Sequence, residues 1–213
     1  MHITDQIRAL LLADRKRFLA KGLFGQPGDS FSMRIPGQSD LLLVRADDEK
    51  PERASIQSPG DDIAGLHARL YGIRPDAGAL LLGSTPWTTA LAGLDATIPV
   101  LFDEQARHLG NVKAPVLDGD QAGLERAIAG GANVAILGER RLCLGVTPER
   151  IVFNAELFEK CAEAFVIAYS SGRDIRRIPW WVRMIAGGRM KKDQVRAAES
   201  LAEGRIPEGM NAY

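Results

Sequence analysis

The spacing of apolar residues changes along the chain, and each change marks an element. From Thr4 to about Lys21 the apolar positions Ile7, Leu10, Leu11, Phe18 and Leu19 form one helical stripe, with Thr4 as its cap. Gly22 ends that helix, and Gly25 to Ser30 is a loop of turn formers. Phe31 to Ile35 then alternates as a strand does, and Asp40 to Val44 reads as a second, more buried strand after the Pro36-Gly37 turn. Residues 45–60 are charged and contain proline and serine, which predicts a surface loop.

A helix opens at Pro59-Gly60-Asp61-Asp62 and runs through Tyr71, its acids placed where the helix dipole favours them. A buried strand is expected over Ala79–Leu82, a helix from near Pro86, a strand over Ile98–Phe102 and a short helix over Glu104–Leu109. Gln121 to Gly130 reads as a helix. Asn133–Leu137 and Leu142–Leu144 read as a strand pair around a Gly-Glu-Arg-Arg turn. Thr147-Pro148-Glu149 combines a hydroxyl cap, proline at the first helical position and a following acid, so a helix to about Ser170 is expected. Strands alternate with helices, yet several connections are short enough for hairpins. The expected architecture is a single three-layer α/β/α domain over residues 1–171 with a mixed, largely antiparallel sheet, followed by a basic helical tail over residues 172–213.

Composition narrows the classes of function. The 213 residues are 46% hydrophobic and 25% charged, which suits a folded domain with a core that needs no disulfide. Lys plus Arg equals Asp plus Glu at 27 each, so no global field draws nucleic acid or an anionic membrane. Cys143 and Cys161 form no CxxC pair and read as buried structural thiols. The first residues lack a basic and apolar leader, and no apolar run reaches the length of a membrane span, so the expected location is the cytoplasm.

Four stretches in order resemble the class II aldolase and adducin head-domain family. They are the glycine loop and strand from Gly25 to Arg34, the run from Leu66-His67 through Arg74-Pro75-Asp76 to Leu81, Thr89 to Leu94, and Ala135-Ile136-Leu137 with Gly145 and the Thr147-Pro148-Glu149 helix start. The resemblance implies the class II aldolase fold and a tetramer. It also implies, for active members, a zinc ion held by a His-x-His pair and a third histidine, which polarises a carbonyl. Here Leu82 and Ser84 fall at the paired positions (Gly83 and Thr85 after a one-residue shift), and Glu139 or a neighbour falls at the third. The chain has three histidines, His2, His67 and His108, and none falls at a ligand position. No metal and no cofactor are therefore expected.

The family's catalytic glutamate position matches Ile63, with Asp61 and Asp62 beside it as substitute acids or as plain helix-start residues. His67 and Glu139 complete the candidate catalytic set, with a core histidine and a turn residue as the simpler readings. The turn Gly28-Asp29-Ser30 resembles a phosphate-binding turn, but Asp29 stands where asparagine is usual, and a carboxylate repels phosphate. Ser84, Thr85, Arg140 and Arg141 join it as candidate ligand-binding residues, the arginines offering planar donors to a carboxylate or phosphate, or forming a solvated hairpin.

Residues 173–196 carry eight Lys or Arg against Asp174 and Asp193, interleaved with Trp180, Trp181, Met184 and Ile185. Docking on the domain or a neighbouring subunit is one reading. A membrane- or nucleic-acid-associated module is another. The leading expectation for the whole chain is a zinc-free, aldolase-like, homo-oligomeric protein that binds a small anionic metabolite or serves as a structural partner. The alternative is an active lyase or isomerase working through Asp61, Asp62, His67 or Glu139.

Overall fold

A computed structural model describes residues 2–94 and 96–208. Six strands form one sheet in the order β3-β2-β1-β4-β6-β5, with β1 at Ser30–Arg34, β2 at Asp40–Arg45, β3 at Glu52–Ser55, β4 at Ala79–Gly83, β5 at Val134–Leu137 and β6 at Arg140–Gly145. Every pairing between these strands is antiparallel. A single parallel bridge, Val116 to Leu137, touches the β5 edge.

The strands are buried on both faces, and their alternation divides the core in two. Phe31, Met33, Leu42, Val44, Leu81, Ile136 and Cys143 face α1 (Ile3–Ala20), α3 (Pro86–Ala92) and α5 (Pro148–Ser170). Leu41, Leu43, Leu80, Leu82, Leu142 and Leu144 face α2 (Asp62–Ile73) and α4 (Gln121–Ile128). Helices cover both faces of a central sheet, as the sequence pattern predicts, and the six strands pair antiparallel throughout. Both cysteines are free and buried, and burial pushes their thiols up to about 11 for Cys143 and about 12 for Cys161.

Three local expectations are corrected. The first helix begins one residue before Thr4, because the His2 ring Nδ1 accepts the Thr4 N–H and serves as the cap. Residues 45–60 are not all loop: β3 pairs with β2 through Asp40–Ser55 and Leu43–Glu52, a charged strand covering an otherwise open sheet edge. The segment around Ile98–Phe102 joins no sheet. Pro99 has no N–H to offer, and the Gln105 side chain satisfies the backbone there instead, accepting from Leu101 N–H at 3.0 Å and donating to the Pro99 carbonyl at 3.1 Å. Gln105–Leu109 then forms one π-helical turn.

The C-terminal helix α6 (Trp180–Ala202) packs on this π-helical turn, with Ala186 in one apolar cluster with Ala106 and Asp193 paired with Arg107 at 2.6 Å. Its last turn is tied to the body by the Gly37 N–H, which donates to the Leu201 carbonyl at 3.0 Å. Among the described residues, no helix is long and apolar enough to cross a membrane.

Backbone meets backbone closely where α5 crosses the end of β6. A methyl group on Gly145 would stand 2.5 Å from the Ile151 nitrogen and 2.6 Å from its Cα, so backbone would have to move. Gly145→Ala is expected to lower stability by about 2–4 kcal/mol, the range for overpacking against atoms that cannot rotate away. Gly60→Ala meets nothing within 4 Å and should change little. Urea denaturation of the two variants measures the difference.

Candidate functional site

Two polar groups lie at the end of β4 and β6 nearest the glycine loop, one on each face of the sheet. On the α2 face, Ser30 and Ser32 are two apart on β1 and so project to the same side, where His67 of α2 meets them. Ser30 Oγ lies 2.8 Å from His67 Nε2, and Ser32 Oγ lies 2.7 Å from His67 Nδ1. Ser32 Oγ also lies 3.0 Å from the Tyr71 hydroxyl, one helical turn beyond His67. The ring is fully enclosed, and burial holds His67 neutral, down to about 3. A neutral imidazole has one donor and one acceptor nitrogen, so one serine accepts from the ring and the other donates to it. This arrangement pins α2 to the sheet.

On the α5 face the glycine loop folds around Asp29. The Gly25 and Gln26 N–H groups donate to its Oδ2 at 3.0 and 2.9 Å, and the Ser84 N–H donates to its Oδ1 at 3.0 Å. The carboxylate is fully buried. Next to it, Gly83 pairs in register with Arg141. A methyl group on Gly83 would lie 3.2 Å from the Leu23 carbonyl oxygen and 3.6 Å from Asp29 Oδ1. Arg141 donates to that same Leu23 carbonyl at 2.5 Å. Its guanidinium is fully buried, and its Nε and Nη1 have no hydrogen-bond partner among the described residues. Glu159 of α5 stands 3.8 Å from Nη1, too far for a hydrogen bond, and accepts from the hydroxyls of Thr85 and Thr88.

The candidate residues separate accordingly. Asp29, Ser84, Thr85 and Arg141 come together; Ser30 and His67 form the neighbouring cluster across the sheet. Gly28 adjoins Arg140, whose Nη1 would lie 3.8 Å from a methyl group at Gly28, while Arg140 itself pairs with Asp118 at 3.2 Å. Arg140 and Arg141 therefore do not act as one cluster, since adjacent strand residues point to opposite faces. Glu139 lies exposed in the hairpin turn. Asp61 caps α2 by accepting from Ala64 N–H at 2.8 Å and pairs with Arg45; the Ala64 bond, together with Arg45, holds its carboxyl below the usual range. Asp62 is exposed in the first turn of that helix. Glu159, Thr88 and the Leu23 carbonyl complete the Arg141 cluster and were not foreseen. Glu159 stands three turns into a long amphipathic helix, where a single glutamate carries no sequence signal.

Comparison with known proteins decides the family. Residues 31–166, well over half the chain, match the sequence profile described as the Class II Aldolase and Adducin N-terminal domain. The chain belongs to this family. Among curated proteins, none matches at the sequence level. Solved structures similar in fold include an L-fuculose 1-phosphate aldolase, with a TM-score of 0.72 and 16% identity over 87% of this chain and 96% of that one. An L-fuculose 1-phosphate aldolase from Glaciozyma antarctica PI12 has a TM-score of 0.68 and 14% identity over 98% of this chain and 95% of that one. An aldolase II superfamily protein from Pseudomonas syringae has a TM-score of 0.67 and 20% identity over 95% of this chain and 94% of that one.

The donors of this aldolase-family chain do not fit the zinc ion that the resemblance implies. His2 caps α1, His67 is held between Ser30 and Ser32, and His108 packs edge-on against Phe153 and bonds to Arg150, so the three imidazoles serve three different regions. Leu82 is buried under α2 and Glu139 is exposed in its turn. Among the described residues, no three His, Cys, Asp or Glu side chains are gathered as a metal site.

The buried titratable groups set a pH signature. Asp14 in α1 lies 3.6 Å from Arg17, and burial raises its carboxyl from 3.8 to about 7 despite that arginine. Native Asp14 therefore keeps a proton that the unfolded chain releases, and its contribution to stability is lost as pH rises from 3.8 to about 7. Native His67 refuses a proton that the unfolded chain takes, and its contribution is lost as pH falls from 6.5 to about 3. Where both windows overlap the two slopes cancel. Asp14→Asn should expose the histidine alone, so that stability rises with pH by about 1.4 kcal/mol per unit between roughly pH 4 and 6. Wild type should stay nearly flat. Urea midpoints measured across that range read the slope.

Proposed function

We propose that this member of the class II aldolase family is a zinc-free binder of a small anionic metabolite, held at Arg141, and that it does not cleave carbon–carbon bonds. One observation carries the reading: a fully buried guanidinium with two nitrogens lacking hydrogen-bond partners among the described residues, beside a carboxylate at 3.8 Å. Buried N–H groups ordinarily find acceptors, because leaving each one unsatisfied costs about 1–3 kcal/mol. A ligand carboxylate would supply the acceptor. Glu159, with its side chain 19% exposed, stands between the buried guanidinium and solvent and would move aside for entry. The donor set gives no Lewis acid for a retro-aldol step, which supports binding over lysis. Calorimetry against small carboxylates and sugar phosphates tests the reading, and Arg141→Ala should weaken the bound anion by about tenfold to a hundredfold. No anion bound by wild type, or binding indifferent to Arg141, would sink it.

Self-association belongs to the same proposal. Trp180, Trp181, Met184 and Ile185 are 67%, 53%, 61% and 52% exposed on the side of α6 turned away from the body. Residues 173–196 sum to +6, from eight basic and two acidic residues, so in a chain of net charge zero the remainder sums to −6. The occupant we assign to this stripe is therefore a second copy of this chain, whose residues outside 173–196 carry the opposite net charge. Light scattering should find an oligomer at micromolar concentration, and Trp180→Ser with Trp181→Ser should dissociate it. A wild-type monomer would remove this part of the proposal and leave the Arg141 site standing.

A further inference from the structure

The glycine loop is an anion cradle that the protein fills with its own side chain. Three backbone N–H groups from two separate segments, Gly25, Gln26 and Ser84, converge on the two oxygens of Asp29. The loop is bent for this purpose: Gly25 and Gly28 have φ of +123° and +87°, a region that side chains disfavour. Convergent N–H groups of this kind hold a phosphate or carboxylate wherever one is supplied. Here the supply is internal, and the carboxylate is wholly enclosed.

The cradle adjoins the Arg141 site. Asp29 Oδ1 and the Leu23 carbonyl, which accepts from Arg141, both stand against Gly83. Glu159 closes the other side of the guanidinium. Two carboxylates and one guanidinium leave the site with a formal charge of −1. An entering phosphate dianion would meet two like charges and find the backbone donors already taken. A monocarboxylate can face the unpaired Arg141 nitrogens and needs no share of the cradle.

We infer that Asp29 is a specificity-determining residue that bars phosphate esters by occupying the loop donors, so that the ligand of this site is an unphosphorylated small carboxylate. This rests on the Arg141 reading for the carboxylate and stands alone for the exclusion of phosphate. Asp29→Asn is the informative substitution. The side chain keeps its shape, but its amide nitrogen must face a backbone N–H, donor against donor, which opens one arm of the cradle.

The test uses the full chain and follows thermal shift and calorimetry with glycolate, lactate and glycerate, then 2-phosphoglycolate, 3-phosphoglycerate and inorganic phosphate. Wild type is expected to take one of the carboxylates and none of the phosphates. Asp29→Asn is expected to gain affinity for inorganic phosphate or a phosphate ester by about tenfold or more, the least that removing one adjacent like charge should yield. Wild type that binds phosphate as well as the variant overturns the inference, as does a folded variant that gains nothing. If the variant does not fold, the wild-type amide signals of Gly25, Gln26 and Ser84 decide: movement on phosphate titration overturns the inference, and constancy supports it. Phosphate gained by Asp29→Asn with no carboxylate bound by wild type keeps the role of Asp29 and removes the Arg141 reading. Arg141-dependent carboxylate binding with no gain in Asp29→Asn does the reverse.

Discussion

Arg74 is the residue on which the arrangement of the other elements turns. Its guanidinium is buried, which is tolerable for a charge only if every N–H finds an acceptor. Asp76 accepts at 2.8 and 2.6 Å, the Asn133 side chain at 2.7 Å, and the carbonyls of Ala132 and Ile128 take the remaining nitrogen. Asn133 then donates to the His108 carbonyl and accepts from Gln194 of α6. One fixed cation thus joins the end of α2, the approach to β4, the entry to β5, the π-helical turn and the C-terminal helix. Removing Asp76 would leave an uncompensated buried charge and removing Asn133 an unpaired buried N–H, so the five segments hold their relative positions together.

Arg141 is the contrasting case in the same fold. It is equally buried, yet it has one carbonyl acceptor and a carboxylate just out of reach. The two arginines differ in what surrounds them. Two carbonyls, of Ala132 and Ile128, face Nη1 of Arg74, whereas Arg141 lies on β6 between β4 and β5, where the ladder engages the backbone carbonyls. A strand arginine facing a helix must find its acceptors away from its own ladder, as Arg141 does at the Leu23 carbonyl.

Much of the frame was legible in the chain because burial on both faces of the sheet produces unbroken apolar runs such as Leu41–Val44 and Leu80–Leu82, and because Thr147-Pro148-Glu149 states a helix start outright. The misses have physical causes. Strand β3 is an edge strand with charged side chains, so it has no apolar alternation to announce it. The Ile98–Phe102 segment has strand-like composition, but Pro99 and the Gln105 side chain decide its hydrogen bonding. For the site, Asp29 and Arg141 were visible as residues and not as neighbours of Glu159, because their meeting depends on the register of β4 with β6 and on the passage of α5 across it. His67 was visible as a polar residue on an apolar helix, and its partners Ser30 and Ser32 follow from strand alternation once the helix is known to cover that face.

A loop that carries its own anion does not need a ligand to become ordered. Loops built around an external phosphate keep part of their binding energy in reserve, since ordering the backbone accompanies capture. With Asp29 in place, the turn from Gly25 to Ser30 reaches its final shape as the chain folds, and that entropy is settled before any encounter. The turn therefore adds no backbone ordering cost to any event beside it, which is the behaviour of a rigid platform more than of a switch.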